Sequence, residues 1–337
     1  MSQTLKIAVP MAGLGTRMRP HTWSKPKPLI ALAGKTVLDF VLEQFNSLPG
    51  SLEVEYIFII GPNQREQVNA HMQARHPEKK VHYVIQEVMR GQSDALYLAR
   101  EYLSGPMLMA FSDTLIETDL SDLDKIEADG LAWVCPVEDP RRFGVAVVGA
   151  DDRIVKLVEK PKDVSNNLVV VGFYYFKQAQ DLMTAIEEQM RANITLKNEF
   201  FLADAVNILI EKGAELRTRQ VKIWLDAGLP AAVLETNRHL LENGYDNSEE
   251  AKKREGVAII PPVYIHPSAK ITSAVIGPYV SIDRDCQLEE VVISNSILDV
   301  GTMVSKTVFS DSLLGRHVQV EGKSEQFNLG DHSWLKK

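Results

Sequence analysis

The chain opens with residues suited to holding an anion. Residues 1–38 contain no Asp or Glu, yet they carry Lys6, Arg17, Arg19, Lys25, Lys27 and Lys35, in a protein of 337 residues whose formal net charge is -8. Inside this stretch lies Gly13-Leu14-Gly15-Thr16-Arg17-Met18-Arg19-Pro20, followed by Lys25-Pro26-Lys27-Pro28. A glycine-rich loop lets several backbone N–H groups point together at an anion, and neighbouring Arg and Lys supply countercharge. The chemistry this predicts is a triphosphate cradle. Two other phosphate-binding patterns fail. The dinucleotide fingerprint requires a third glycine where Met18 stands, and the second strand, ending Ile59-Ile60-Gly61, lacks the acidic residue that grips a ribose. No G-x-x-x-x-G-K-[ST] segment occurs.

Such a loop needs a frame. Lys6–Met11 is a short apolar run that stops at the glycines, and Thr36–Leu48 places Val37, Phe40, Val41, Gln44 and Phe45 at helical spacing. Apolar strands at Glu53–Ile60, Val81–Gln86 and Met107–Phe111 then alternate with helices near Gln64–Arg75 and Gln92–Leu103. Uniformly apolar strands between amphipathic helices predict an α/β domain over residues 1–245, with a mostly parallel sheet covered on both faces. Ligands of such sheets sit beyond the carboxyl ends of the strands. The glycine loop, Gln86 and Asp113 all fall at those ends.

The texture changes after a charged stretch, Asp246–Gly256, which reads as a linker. Over residues 257–322 aliphatic residues recur every six positions: Ile259, Ile265, Ile271; Ile276, Ile282, Leu288; Val292, Leu298, Val304; Val308, Leu314, Val320. The groups repeat every 16 or 17 residues. That spacing fits a triangular solenoid whose sides each turn one aliphatic residue inward, so the segment is expected to be a short left-handed β-helix of about four coils rather than a small antiparallel sandwich. Gly277, Gly301 and Gly315 fall near the expected corners. In the tail, residues 323–337, Phe327, Leu329 and Trp334 are expected to cap the last coil, while Tyr279, Phe309 and Leu313 are expected to form an interface.

Composition narrows the partners. A hydrophobic content of 45% and a charged content of 24% are those of a soluble globular protein. No apolar run approaches the ~20 residues of a membrane span, and the N-terminus lacks the features of a signal peptide. The net negative charge argues against nucleic acid as a partner. Cys135 and Cys286 are far apart and are read as reduced, buried thiols. A cytoplasmic protein, with neither membrane nor nucleic acid as partner, is expected.

The extended opening pattern, Gly13, Gly15, Thr16, Arg17, Pro20, Thr22, Pro26, Lys27 and Leu29, resembles that of the sugar-phosphate nucleotidyltransferases, or NDP-sugar pyrophosphorylases. Further matches follow in the family's order: Gln86 and Arg90-Gly91-Gln92-Ser93, Phe143-Gly144-Val145, Glu159-Lys160-Pro161, Gly172-Phe173-Tyr174, Glu199 to Asp204 and Trp224-Leu225-Asp226-Ala227-Gly228. Ser112 stands where the family usually has Gly, and Ser93 where Thr is frequent. The resemblance implies a Rossmann-like nucleotidyltransferase domain, many members also carrying a C-terminal left-handed β-helix. The implied substrates are a nucleoside triphosphate and a sugar 1-phosphate, and the products an NDP-sugar and pyrophosphate.

The resemblance also implies roles. Ala12, Gly13, Gly15, Thr16, Gln86, Gly91 and Ser93 would bind the nucleotide, Gln86 through the paired donor and acceptor of its amide. Arg17 would neutralise the leaving pyrophosphate, Lys27 would reach the α-phosphate, and Asp113 and Asp226 would hold Mg²⁺. Lys160 would hold the sugar phosphate, with Gly144, Glu159, Gly172 and Glu199 around the sugar. Glucose 1-phosphate with dTTP or UTP is the expected pair, and a homo-oligomer the expected assembly. The alternatives are a mannose-1-phosphate guanylyltransferase, an acyltransferase using His266, His317 or His332 of the β-helix, and a non-catalytic nucleotide-sensing subunit.

Overall fold

The computed structural model describes residues 4–322. It divides into two compact units, the residues up to Ile30 with Thr36–Ala232, and Ala31–Lys35 with the residues from Val233 onward.

In the first unit, strands β1 (Thr4–Pro10), β2 (Glu53–Ile60), β3 (Val81–Ile85) and β4 (Met107–Ala110) alternate with helices α1 (Val37–Glu43), α2 (Arg65–Arg75) and α3 (Gln92–Leu98). β1 lies between β2 and β4, parallel to both, and β3 extends the sheet in parallel beyond β2. Consecutive residues of β1, β2 and β4 are buried, including Ile7, Ala8 and Val9 of β1 and Ile57 to Ile60 of β2, which is why these read as unbroken apolar runs, whereas β3 is only partly buried. Past β4 the sheet reverses. The strand Leu168–Phe176 runs antiparallel to β4, and Gly130–Pro136 and Gly144–Val148 run antiparallel to it in turn. The sheet is therefore mixed, and the alternating segments up to residue 111 built its parallel half.

α1 starts at a capping box. Thr36 Oγ1 accepts from the Asp39 N–H at 3.2 Å, and Asp39 Oδ2 accepts from the Thr36 N–H at 2.8 Å. The helix expected over Thr36–Leu48 tightens into a 3₁₀ turn at Gln44–Ser47, and the one expected to reach Leu103 does so at Arg100–Tyr102.

On the β1–β2–β3 ladder, half-buried Glu55 accepts from Lys6 at 2.6 Å and Lys80 at 2.5 Å, with His82 Nε2 at 3.3 Å. The hydrogen bond from Lys6, then that from Lys80, brings its carboxyl down to about 2. A carboxylate held below its ordinary 4.5 stabilises the fold in full above that value and loses the contribution as pH falls through about 2. Glu55→Gln is expected to lower stability by about 1 kcal/mol near neutrality, after allowance for solvent screening. Urea unfolding should show the gap between the two proteins narrowing from pH 5 to pH 3; a constant gap would mean the cluster contributes by packing alone.

The second unit is a three-sided parallel β-helix. One side stacks 257–259, 274–276, 291–293 and 307–309; the next stacks 263–265, 280–282, 297–298 and 313–314; the third stacks 270–272, 287–289, 303–305 and 319–321. Ile265, Ile276, Ile282, Leu288, Leu298 and Val304 are buried in one core, against which Ile259, Ile271, Leu314 and Val320 pack. Val292 and Val308 do not point inward; they are 43% and 74% exposed. Their inward places are taken by Ile293 and Phe309, which follow Ile276 in register. The reason lies at one corner. Ile282 stands six positions after Ile276, but the tighter corner at Asn295 places Leu298 only five positions after Ile293.

Corner chemistry also differs from expectation. Gly277 and Gly301 have positive φ, whereas Gly315 does not, and most corners use other residues, among them Ser273, Asp285, Glu290 and Lys306. Phe309 packs, partly buried, against the solenoid's own core. Tyr279 donates to Glu242 at 2.7 Å and lies under Arg238.

The stretch read as a linker is built into this unit. Helix Ser248–Ala251 lies within it, and the Asn247 amide brackets Ile265, accepting from its N–H at 2.8 Å and donating to its carbonyl at 2.9 Å. Ser248 Oγ accepts from Val263 at 2.9 Å, so side chains satisfy an edge strand that has no preceding coil. Phe327, Leu329, His332 and Trp334 lie outside the described residues.

Candidate active site

The first unit contains a cleft of about 680 Å³ at the carboxyl ends of its parallel strands. One end of it is the turn after β1. Gly15 has φ +58, and Thr22 Oγ1 donates to its carbonyl at 2.8 Å. Met18 inserts fully into the core beneath a one-turn 3₁₀ helix, Thr16–Met18, while Arg17 stays exposed at the cleft. None of the backbone N–H groups from Gly13 to Thr16 has a hydrogen-bond partner among the described residues. Four free donors beside an Arg and a Lys are chemically suited to an anion. Lys27 enters from a second 3₁₀ turn, Lys27–Leu29, pinned by buried Pro28 and Leu29.

The two aspartates are brought together by a small antiparallel ladder. Strand Trp224–Asp226 pairs with Thr114–Ile116 so that Asp226 lies opposite Thr114, and Ala227 N donates to the Asp113 carbonyl at 3.0 Å. Lys27 Nζ donates to Asp113 Oδ2, and Gly228 N donates to Asp226 Oδ1 at 2.8 Å. Burial first, and the Asp113 charge second, hold the Asp226 carboxyl above its ordinary range, against the opposing pull of Lys27 and Arg17. Two adjacent carboxylates that repel each other, with hard oxygen donors only, fit a Mg²⁺-like cation.

At the other end, Lys160 has φ +49, and its N–H donates to Phe143 at 2.9 Å. Its ammonium lies 3.5 Å from Glu159 and 4.1 Å from the centre of the Phe201 ring. Burial raises the Glu159 carboxyl above its ordinary range; Lys160 opposes this, and Asp204 and Glu199 add to it. Gly144, Gly172 and Glu199 complete this wall.

Of the residues singled out in the sequence, Ala12, Gly13, Gly15, Thr16, Arg17, Lys27, Gln86, Gly91, Asp113, Gly144, Glu159, Lys160, Gly172, Glu199 and Asp226 line this one cleft. Ser93 does not. It is fully buried beneath it, with its N–H donated to Phe200 at 3.1 Å. Gln86 differs in detail, because its amide nitrogen is committed to Asp94 at 2.8 Å and to the Gly91 carbonyl at 3.3 Å. Its Oε1 is thus the atom left for a ligand, rather than a donor and acceptor together. Sequence reasoning assigned no site role to Phe143 and Trp224, whose rings stack edge to face at 4.9 Å on the cleft wall, nor to Arg142 beside them. Both aromatics sit inside motifs already noted, and that position was the available signal.

Gly91 is required by the chain's own packing. At φ +102, a Cβ would stand 2.4 Å from the Phe200 carbonyl. Gly91→Ala is expected to destabilise the unit by about 2–4 kcal/mol through backbone strain and overlap. Nucleotide KM should rise more than kcat falls, because Gln86 is tied to this turn. An unfolding free energy within about 0.5 kcal/mol of the parent would show that the Phe200 loop yields freely.

Comparison with known proteins agrees with this geometry. The nucleotidyl transferase family profile matches residues 9–243, so the chain belongs to the nucleotidyl transferase family. More particularly, it is 28% identical to the glucose-1-phosphate thymidylyltransferase of Streptomyces griseus over 98% of both chains. It is 30% identical to the bifunctional protein GlmU of Methanococcus maripaludis, covering 77% of this chain and 60% of that one. Among solved structures, a UDP-glucose pyrophosphorylase complexed with UDP-glucose aligns with a TM-score of 0.60 at 20% identity, over 72% of this chain and all of that one, and shares the fold. Among the described residues no helix is long and apolar enough to cross a membrane.

Proposed function

We propose that this enzyme is a sugar-1-phosphate nucleotidyltransferase that joins a nucleoside triphosphate, dTTP or UTP, to glucose 1-phosphate and releases pyrophosphate. The observation that carries the reading is the convergence of four free N–H groups, Arg17, Lys27, Asp113, Asp226 and Lys160 on one cleft. The similarity to glucose-1-phosphate thymidylyltransferases along 98% of the chain supports the choice of glucose and of dTTP.

In this reading the Gly13–Thr16 amides and Arg17 seat the β- and γ-phosphates, and Gln86 Oε1 accepts from an imide N–H of the base. Lys160 holds the sugar phosphate in line with the α-phosphorus. A sugar-phosphate oxygen forms the new P–O bond as the bond to the bridging β-phosphate oxygen breaks, and its electron pair leaves with pyrophosphate. No protein nucleophile takes part; positioning and charge neutralisation do the work. Arg17 meets charge growing on the departing pyrophosphate, and Lys27 meets that on the α-phosphate. Asp113 and Asp226 are the residues that would hold Mg²⁺, which supplies further neutralisation of phosphate charge when bound. Glu159 and Glu199 would accept from sugar hydroxyls.

A matrix of nucleoside triphosphates against sugar 1-phosphates, read by pyrophosphate release, tests the assignment. The highest kcat/KM is expected with glucose 1-phosphate and dTTP or UTP. Preference for GTP with mannose 1-phosphate would replace the substrate assignment, and no release with any pair would remove the reaction.

A further inference from the structure

A second cluster of metal-ligating side chains lies in the first unit, outside the cleft. Asp39, in the first turn of α1, is 2% exposed. Its Oδ2 is used by the capping box, accepting from Thr36 N and Thr36 Oγ1 at 2.8 and 2.9 Å. Its Oδ1 faces two imidazoles: His71 Nε2, from α2, at 2.8 Å and His76 Nε2, just past the end of α2, at 2.7 Å. One ligand atom from each residue lies within 4.8 Å of the others, and none of the three residues lines the cleft. We propose that Asp39, His71 and His76 form a binding site for a single transition-metal ion of the zinc class, fastening the start of α1 to the end of α2.

The donor set selects the ion. Two imidazoles and one carboxylate suit Zn²⁺, Co²⁺ or Ni²⁺, whereas Mg²⁺ and Ca²⁺ require oxygen donors. Three protein ligands with an open fourth position is an established zinc arrangement. Both rings aim the same atom, Nε2, at one carboxylate oxygen. As a hydrogen-bonded triad this needs a proton on each Nε2. A cation replacing those two protons would bind the same three atoms. Zinc–ligand distances near 2.0–2.1 Å set neighbouring tetrahedral ligands about 3.3 Å apart, so each N···O contact needs to open by only about 0.6 Å, within the reach of small side-chain torsions. The imidazoles keep 15% and 17% of their side-chain surface exposed, which leaves access for the ion and a water ligand.

The site's position gives it a consequence. α1 contacts the Lys27–Leu29 turn and the strand Thr114–Ile116, and Gln44 at its end accepts from Ile116 N at 2.9 Å and donates to the Thr114 carbonyl at 3.1 Å. An ion at Asp39 therefore steadies the element on which Lys27 and the residue after Asp113 rest.

The test uses the full chain stripped of metal, then titrated with Zn²⁺ or Co²⁺ under saturating Mg²⁺, so that the cleft carboxylates are already occupied. One equivalent should bind with micromolar or tighter affinity, Co²⁺ should give the intense visible band of a low-coordinate imidazole site, and thermal stability should rise with zinc. His76→Gln and, independently, His71→Gln should weaken binding by more than about 10–100-fold, the loss usual for groups that only support a ligand. Both variants should abolish the band and retain Mg²⁺-dependent turnover, circular dichroism confirming the fold. Absence of the band and of any zinc-dependent stabilisation in the parent would reduce the cluster to a hydrogen-bonded triad and overturn the proposal. A band that persists in a folded His76→Gln protein would overturn it equally.

Discussion

Asp113→Asn should leave a folded protein that has lost nearly all turnover. The change keeps the side-chain volume, so the ladder that sets Asp226 opposite Thr114 remains. It removes one of two hard anionic donors and the negative charge facing Lys27 Nζ. With one carboxylate left, Mg²⁺ affinity falls and the phosphate charge of the transition state is less well met. The expected fall in kcat is at least about 10³-fold, equivalent to about 4 kcal/mol of barrier. Pyrophosphate release at saturating substrate, measured across a Mg²⁺ titration, checks both effects. Stability should change little, because the substitution also relieves the repulsion between Asp113 and Asp226. A kcat within threefold of the parent, roughly 0.7 kcal/mol, would sink the assignment of Asp113.

Lys27→Met should be the next largest loss. Methionine keeps an unbranched stem on a turn fixed by Pro28 and Leu29, so the ammonium is the main thing removed. That charge faces Asp113, lowers the Asp226 carboxyl and, in the proposed reaction, meets the α-phosphate. A charge that acts chiefly as bonds change at phosphorus should appear in kcat, which is expected to fall about 10²–10³-fold while nucleotide KM changes less than tenfold. The opposite split, a large KM effect with kcat intact, would make Lys27 a binding residue only. The double variant with Asp113→Asn should lose less than the product of the single losses, since the two side chains touch.

The readable parts of the sequence were those whose meaning is local. Gly15, Thr16, Arg17 and Lys27 shape two adjacent turns with their own φ preferences, prolines and buried anchors, so the anion seat could be inferred from residues 13–28 alone. The parallel half of the sheet was legible because strands buried on both faces leave unbroken apolar runs. The six-residue recurrence announced a three-sided coil. It misplaced Val292 and Val308 because one corner tightens by a residue, and the next residue, Ile293 or Phe309, is also apolar. Asp246–Gly256 read as a linker because its charges were visible and its task, supplying Asn247 and Ser248 to an edge strand, was not.

Pairings between distant segments were decided by the tertiary structure. Its place at a predicted strand end pointed to Asp113 and only a resemblance to Asp226; the ladder between Thr114–Ile116 and Trp224–Asp226 put them side by side. The same holds for Gln86, whose amide nitrogen is taken by Asp94, for Ser93, which faces the core, and for Asp39, which meets His71 of another helix and His76 just past that helix's end. Residue spacing along a chain determines turns, caps and periodic faces, because these depend on the backbone's own geometry. Which donor meets which acceptor across the fold depends on how whole elements pack, and only the folded chain carries that.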